Sequence, residues 1–365
     1  MPCPRVAYQS CTPRAARLAV VIPARNEAAH IADTLRSWAG QQRPDGSPVP
    51  ASRYELVLVT NNCTDDTVAQ ACAFARTRPR LALTVLDVQL GAPQANVGSA
   101  RALGGRYVLD RRPGDSAALF FSDADTLADP RLVYHLRRQF ATPGVSAVGA
   151  YLATRSAVLG GYHQRFLQYE AQLNAYLAQL ANRPVTHRYF SGAGMGVRIN
   201  AYRAVGGIQP LAFNEDKQLR SALEARDFGI AYPTECVVHT SCRQVGRVSW
   251  GMSKQLAYWA ARERQGLPLL VPHPGAAIAR VDLRRAIVAL RKDRPDAWHR
   301  LAARWWTPTV AHHYLRFVCN AAFVGEAVDR VWHCPNFVQQ RRRAFPELPV
   351  AEALALLGKT TQAVA

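Results

Sequence analysis

The sequence predicts an α/β protein, a mostly parallel Rossmann-like sheet flanked by helices, with a helical extension at its carboxyl end. Three observations predict it. Short, uninterrupted apolar runs of strand length recur between residues 18 and 121, each is followed by a stretch with helical apolar spacing, and the alternation stops after Ser241. Strands that alternate with helices pair in parallel, because each crossover helix carries the chain back to the same end of the sheet.

Residues 1–17 carry prolines and no apolar period, and are expected to form a flexible tail. LAVVIP, from Leu18 to Pro23, reads as a first buried strand. The stretch after it carries Ala28, Ile31, Ala32, Leu35 and Trp38 on one helical stripe. The turn-rich QQRPDGSPVPAS leads into a second strand, YELVLVT (Tyr54 to Thr60), then into a helix whose start is marked by Asn and Asp. LALTVLDV (Leu81 to Val88) is a third strand and QANVGSARALGGRYVL a helix by its alanine content. The fourth strand is AALFF (Ala117 to Phe121), preceded by the turn signal Pro113-Gly114. A helix follows Asp129-Pro130, then VSAVGAYLAT reads as one strand and residues 161–181 as a long helix. Asn214 is expected to cap a helix with Glu215 and Asp216 in its first turn, and YPTECVVHTS forms a last strand ending near His239. The expected division is a tail at 1–17, an α/β domain at 18–240 and a basic, mainly helical extension at 241–365.

Composition bounds the function. The chain has 365 residues, 49% of them hydrophobic, enough for a sizeable core and too many for disorder. Its 45 Lys and Arg against 26 Asp and Glu leave a formal net charge of +19, which suits an anionic partner: nucleic acid, an anionic membrane surface or a phosphorylated substrate. The charge is mostly Arg and is spread along the chain with no long basic arm, so no nucleic acid is expected. The 8 cysteines include no Cys-x-x-Cys pair and are expected to be free thiols in a reducing cytosol. LAVVIPA is too short for a signal-peptide core and no segment is long enough to span a bilayer. The expectation is a cytoplasmic protein with room for peripheral contact at the membrane inner face.

Candidate chemistry gathers at the carboxyl ends of the strands, where ligands bind in such sheets. Ala24 to Glu27, Asn61 to Asp65 and Ser122 to Asp125 fall along one edge. In SDADT, Asp123 and Asp125 follow a core strand, and at period two both carboxylates project to one side. Two such carboxylates suit Mg or Mn, and a metal held there would grip a diphosphate. Gly192, Ala193 and Gly194 in SGAGMG read as small residues that let a substrate approach the backbone. The strand a dinucleotide fingerprint needs before its glycines is missing there.

The ordered set VVIPARNE, VTNNCTDDT, SDADT, SGAGMGVRINAYRAVGG and NED resembles the family 2 glycosyltransferases with a GT-A fold, over about Leu18 to His239. The resemblance implies transfer of a sugar from a nucleotide-diphosphate donor to an acceptor hydroxyl, usually with inversion. On the matching positions Pro23, Ala24, Arg25, Glu27 and Asn61 would hold base and ribose. Asp123 would sit against ribose or a metal-bound water, and Asp125 would bind Mn or Mg. His239 would add a metal ligand, and Asp216 would be the general base with Glu215 as the alternative. Independently of any family, such a transfer needs positive charge at the leaving diphosphate and a positioned carboxylate for the acceptor proton.

Three departures qualify the match. Asn61 stands where relatives carry a carboxylate; one amide acceptor fits uracil and matches guanine's two-donor edge less well, which favours UDP. The arginine that many relatives place just before an Asn is missing from GAPQANVG. Gln244-Val245-Gly246-Arg247 resembles part of the motif of processive members, but Val248 replaces its Trp, leaving Arg243 or Arg247 to meet the diphosphate. The resemblance implies a hydroxyl acceptor, on a saccharide or a lipid-linked group, without identifying it. A sugar nucleotidyltransferase would carry a Gly-rich loop with Arg and Lys after the first strand, where this chain has ARNE. A scaffold or a basic nucleic-acid binder is the non-enzymatic alternative.

Overall fold

The computed structural model describes residues 5–10, 17–111, 117–154, 161–181, 187–241 and 251–362. The chain divides into two compact units. The first comprises Met1–Ala157, Tyr189–Arg220 and Phe228–Lys254, the second Val158–Arg188, Ser221–Asp227 and Gln255–Ala365.

The first unit opens with β1 (Arg5–Gln9), β2 (Leu18–Ala24), α1 (Ile31–Ala39), β3 (Tyr54–Asn61), α2 (Thr67–Thr77), β4 (Leu83–Val88), α3 (Val97–Arg111) and β5 (Ala118–Phe121). β2, β3 and β5 are buried along their whole length, as their largely apolar runs require, and β3 buries Glu55, Thr60 and Asn61 as well. β6 (Leu127–Ala128), α4 (Leu132–Ala141), β7 (Ala147–Gly149) and β8 (Tyr151–Thr154) follow. After α5 (Gly161–Ala181) come β9 (Met195–Arg198), α6 (Ile199–Ala204), α7 (Glu215–Ala225), β10 (Ile230–Ala231) and β11 (Val237–Thr240).

The main sheet has the order β1-β4-β3-β2-β5-β9-β7-β10. β4, β3, β2 and β5 pair in parallel, as the alternation predicts. Three features correct the sequence reading. Residues 5–9 are not a loose tail but a strand antiparallel to β4, whose outer edge is otherwise unpaired. Met195–Arg198, to which the sequence reading assigned no strand, inserts antiparallel between β5 and β7, so the sheet is mixed. VSAVGAYLAT is two strands, because Ala150 interrupts it: β7 joins the main sheet and β8 a small sheet with β11 and β6. The core of this unit packs Trp38, Leu35 and Ile31 of α1 and Leu132, Val133 and Leu136 of α4 against Val20, Ile22, Leu56, Leu58 and Phe120.

The second unit is mainly helical. It contains α5, most of α8 (Met252–Arg264), α9 (Pro274–Leu290), α10 (Asp296–Trp305), α11 (Pro308–Cys319), α12 (Val324–Trp332), α13 (Pro335–Ala344) and α14 (Val350–Gln362). β12 (Leu270–Val271) and β13 (Leu348–Pro349) form a short antiparallel pair. Proline begins α9, α11 and α13, where its missing N–H costs nothing. Its core is aromatic, with Trp298, Trp306, Tyr314, Trp332 and Phe337 in contact. No helix among the described residues is long and apolar enough to cross a membrane. Cys63, Cys72, Cys236, Cys319 and Cys334 are free thiols.

Candidate active site

Three loops at the carboxyl ends of β2, β3 and β4 are laced into one edge by their own polar groups. Asn26, in the left-handed conformation at φ +53°, accepts the Thr64 backbone N–H at 2.8 Å through its Oδ1. The Glu27 N–H donates to Thr67 Oγ1 at 2.8 Å and the Ala28 N–H to Asp65 Oδ2 at 3.1 Å. Hydrogen bonds from Thr67 and from the Ala28 N–H hold the Asp65 carboxyl below its ordinary range, against a burial effect in the other direction. Arg25 reaches the third loop, donating to the Ala95 carbonyl at 3.3 Å. The Asn and Asp residues that mark these turns in the sequence thus tie neighbouring loops together.

Pro23 and Ala24 are buried at the end of β2, and Arg25 stands exposed beyond them. Asn61, at the end of β3, is 3% exposed. Its Nδ2 donates to the Asn96 carbonyl at 3.1 Å, which fixes the amide orientation and leaves Oδ1 buried without a hydrogen-bond partner among the described residues.

β5 ends at Phe121, and the chain then turns: the Thr126 N–H donates back to the Asp123 carbonyl at 3.2 Å. The period-two argument for Asp123 and Asp125 therefore fails, since both lie in a turn past the end of the strand. Asp125 is buried and Asp123 half-buried. The Asp123 carboxylate pairs with Arg101, a residue the sequence reading missed.

Arg101 organises the centre of the site. α3 presents Gly98, Gly104 and Gly105 inward, and a Cβ on Gly104 would overlap Val21, so the helix lies close on the sheet. A helical side chain leans toward its own N-terminus, here the end of α3 beside the strand carboxyl ends. Arg101 is 4% exposed there, and its guanidinium bridges Asp123 and Glu215. Burial opposes the guanidinium charge, yet the carboxylates of Asp123, Glu215 and Asp216 hold its pKa above the ordinary value. An arginine at helical spacing within a small-residue stripe was the available signal.

Asn214 enters α7 in the left-handed conformation, at φ +61°, in place of a conventional cap. Glu215 then points inward to Arg101, while Asp216 is half-buried. Burial pushes the Glu215 carboxyl up, with Arg101 pulling the other way. Asp216 Oδ2 accepts the Gly192 N–H at 3.1 Å and Oδ1 the Lys217 N–H at 2.7 Å, which sets the carboxylate's orientation. Gly192, Ala193 and Gly194 are buried beside it. A Cβ on Gly192 would overlap the Arg101 guanidinium. Gly192→Ala is therefore expected to displace Arg101 and to destabilise the fold by about 1–3 kcal/mol, as overpacking does; urea unfolding of the variant checks this.

The structure brings Asp123, Glu215, Asp216 and Gly192 together around Arg101. His239 is placed apart from that cluster's contacts: its Nε2 lies 3.7 Å from an Asp129 carboxylate oxygen. Among the described residues no group of three His, Cys, Asp or Glu could hold a metal ion, so Asp123, Asp125 and His239 do not assemble into a three-ligand set. Arg243 and Arg247 lie outside the described residues.

The profile of the family described as glycosyltransferase like family 2 matches residues 13–263. The chain belongs to that family and is a glycosyltransferase. No curated protein matches the chain. Among solved structures it is similar to a mannosyltransferase from Pyrobaculum calidifontis in complex with GDP-Man and Mn2+, with 18% identity, TM-score 0.47 and coverage of 94% of this chain and 87% of that one. S. aureus TarS 1-349 in complex with UDP-GlcNAc gives 15%, 0.46, 90% and 92%. Glucosyl-3-phosphoglycerate synthase from Mycobacterium tuberculosis gives 20%, 0.42, 69% and 81%. None of these scores reaches 0.5, and the reading of the site rests on the chain's own residues.

Proposed function

We propose that this chain transfers a sugar from a UDP-sugar to an acceptor hydroxyl, with inversion and with a divalent metal at the diphosphate. One observation carries the reading. Among the described residues Asn61 Oδ1, Ser99 Oγ, Arg101 Nε, Ser122 Oγ and Ser191 Oγ are buried without hydrogen-bond partners and lie on the elements that meet at this edge, while Trp306 Nε1, Tyr314 Oη and Arg341 Nε form a second such group in the helical unit. Native proteins leave few such atoms unsatisfied, so a concentration of them marks where a polar ligand completes the structure.

The Asn61 amide supports UDP. One Nδ2 N–H donates to the Asn96 carbonyl, which turns Oδ1 to the crevice, and that one acceptor matches the single N3–H of uracil. The missing three-residue metal cluster does not contradict a metal. Mg and similar ions are commonly held by one or two carboxylates plus substrate phosphates, and Asp125 in its turn fits that role. When bound, the metal would neutralise charge developing on the leaving diphosphate. Asp216 is the base that accepts the acceptor proton. Its two N–H contacts leave lone pairs on both oxygens, and Gly192 and Gly194, whose open sides are filled by Arg101, Ala150 and Val238, let the backbone pack closely beside it. Glu215, committed to Arg101, positions Asp216 and does not take the proton. In this reading residues 18–240 carry the chemistry and 241–365 are an appended helical extension.

Calorimetric titration of UDP, GDP and ADP, with and without Mn, tests the proposal. Wild type is expected to bind UDP most tightly and only with Mn, and Asp125→Ala to lose that binding. Failure of all three nucleotides to bind under either condition would overturn it.

A further inference from the structure

Four arginines from four separate segments meet at the opposite, amino-terminal edge of the main sheet. Arg17 immediately precedes β2 and Arg53 immediately precedes β3, and the Arg17 N–H donates to the Arg53 carbonyl at 3.4 Å. Because Leu18 pairs with Tyr54 in register, the two arginines are neighbours across the parallel pair. Arg43 lies in the loop after α1. That loop is tied to the start of α4 by Gln42 N–H to Pro130 O at 2.7 Å and by Gln41, whose Oε1 accepts the Val133 N–H at 2.8 Å. Arg137 is on α4, beside the core residue Leu136.

Arg17, Arg43 and Arg53 are exposed and Arg137 half-buried. Burial, and after it the charges of Arg53, Arg17 and Arg43, push the Arg137 pKa down. None of the four guanidiniums forms an ion pair among the described residues. The nearest carboxylate in the loop, Asp45, accepts hydrogen bonds from the Ser47 hydroxyl at 2.6 Å and N–H at 2.9 Å. Arg43 is only a secondary influence on it. Gathering four like charges with no ion-pair partner among the described residues is unfavourable, and guanidinium forks match phosphate oxygens in geometry and charge.

We infer that Arg17, Arg43, Arg53 and Arg137 form a second anion site, distinct from the transferase crevice, that binds clustered phosphate groups. A seven-residue strand spans about 20 Å, so this site is remote from the strand ends that carry Asn61 and Ala24. It can hold a phosphate-bearing molecule or surface while the crevice turns over. The inference stands apart from the reading of the crevice. A free polyphosphate and a phosphorylated lipid headgroup present the same chemistry, and the test separates them.

Inorganic tripolyphosphate is titrated into the full chain by calorimetry, and in parallel the chain is floated with vesicles of phosphatidylglycerol or of phosphatidylcholine. Both are repeated with Arg43→Ala/Arg53→Ala/Arg137→Ala and with a control that removes the same charge elsewhere, Arg294→Ala/Arg300→Ala/Arg316→Ala. The first variant is expected to bind at least tenfold more weakly, with a Tm equal to or above wild type, while the control binds as wild type. Binding of tripolyphosphate alone assigns a soluble ligand, and binding of phosphatidylglycerol vesicles alone assigns a headgroup surface. Because Arg137 is half-buried, the single exposed change Arg53→Glu gives the same reading without disturbing α4. The inference is overturned when wild type binds neither probe, when the arginine variants bind like wild type, or when the control loses binding equally.

Discussion

Asp216→Asn is expected to reduce turnover by ~10²–10⁴, the range a positioned general base contributes. The change is nearly isosteric and removes the proton-accepting carboxylate while keeping an oxygen for the Gly192 N–H, which Asp216 Oδ2 accepts at 3.1 Å. Nucleotide binding should survive, since Asp216 lies on the α7 side and Asn61 on the β3 side of the crevice. The check is a steady-state assay beside a UDP titration: kcat falls and the nucleotide affinity stays. Activity retained within a few-fold would remove Asp216 from the mechanism and turn attention to Glu215→Gln.

Arg101→Met should have the largest effect on stability. It removes one partner of a buried ion cluster and leaves Glu215, 5% exposed, without its counter-charge. Breaking such a pair from one side costs about 3–5 kcal/mol. The effect carries a pH signature. Glu215 already titrates above its ordinary value near 4.5, because burial outweighs Arg101. Between 4.5 and that raised value the native state binds more protons than the unfolded state, so stability falls as pH rises. Without Arg101 the folded value moves further up and the window widens. The deficit of Arg101→Met relative to wild type is therefore expected to be smallest below pH 4.5 and to grow toward pH 8. Urea unfolding of both proteins at several pH values measures it. A deficit independent of pH would show that Glu215 does not depend on Arg101.

Much of this was legible before any coordinates. The runs LAVVI, YELVLVT and AALFF read as strands because a strand buried on both faces is mostly apolar, a pattern visible within a few consecutive residues even with Glu55 and Thr60 in the second. The order of the loop motifs identified the family for the same reason, since each is a local strand-to-helix turn. Asp216 was legible as an acid in the first turn of a helix. The misreadings share a cause. SDADT lies past the strand, as expected, but a strand's period of two does not extend into it: the backbone hydrogen bond from Thr126 to Asp123 turns the chain, and no periodicity announces that. VSAVGAYLAT is strand-like on both sides of Ala150, and Gly149 is its one local mark of the change of sheet.

The sequence by itself determined the alternating strands and helices, the crevice at their carboxyl ends and the family, because these depend on residues adjacent in the chain. Only the tertiary structure decided the pairings between distant segments. Arg5–Gln9 finds the open edge of β4, and Met195–Arg198 enters between β5 and β7. Arg101 meets Glu215 across 114 residues, and four arginines from separate segments converge at the far edge of the sheet. A charge on a helix carries no mark of its partner in the local sequence. Its partner is selected by which segments the packed core brings within reach.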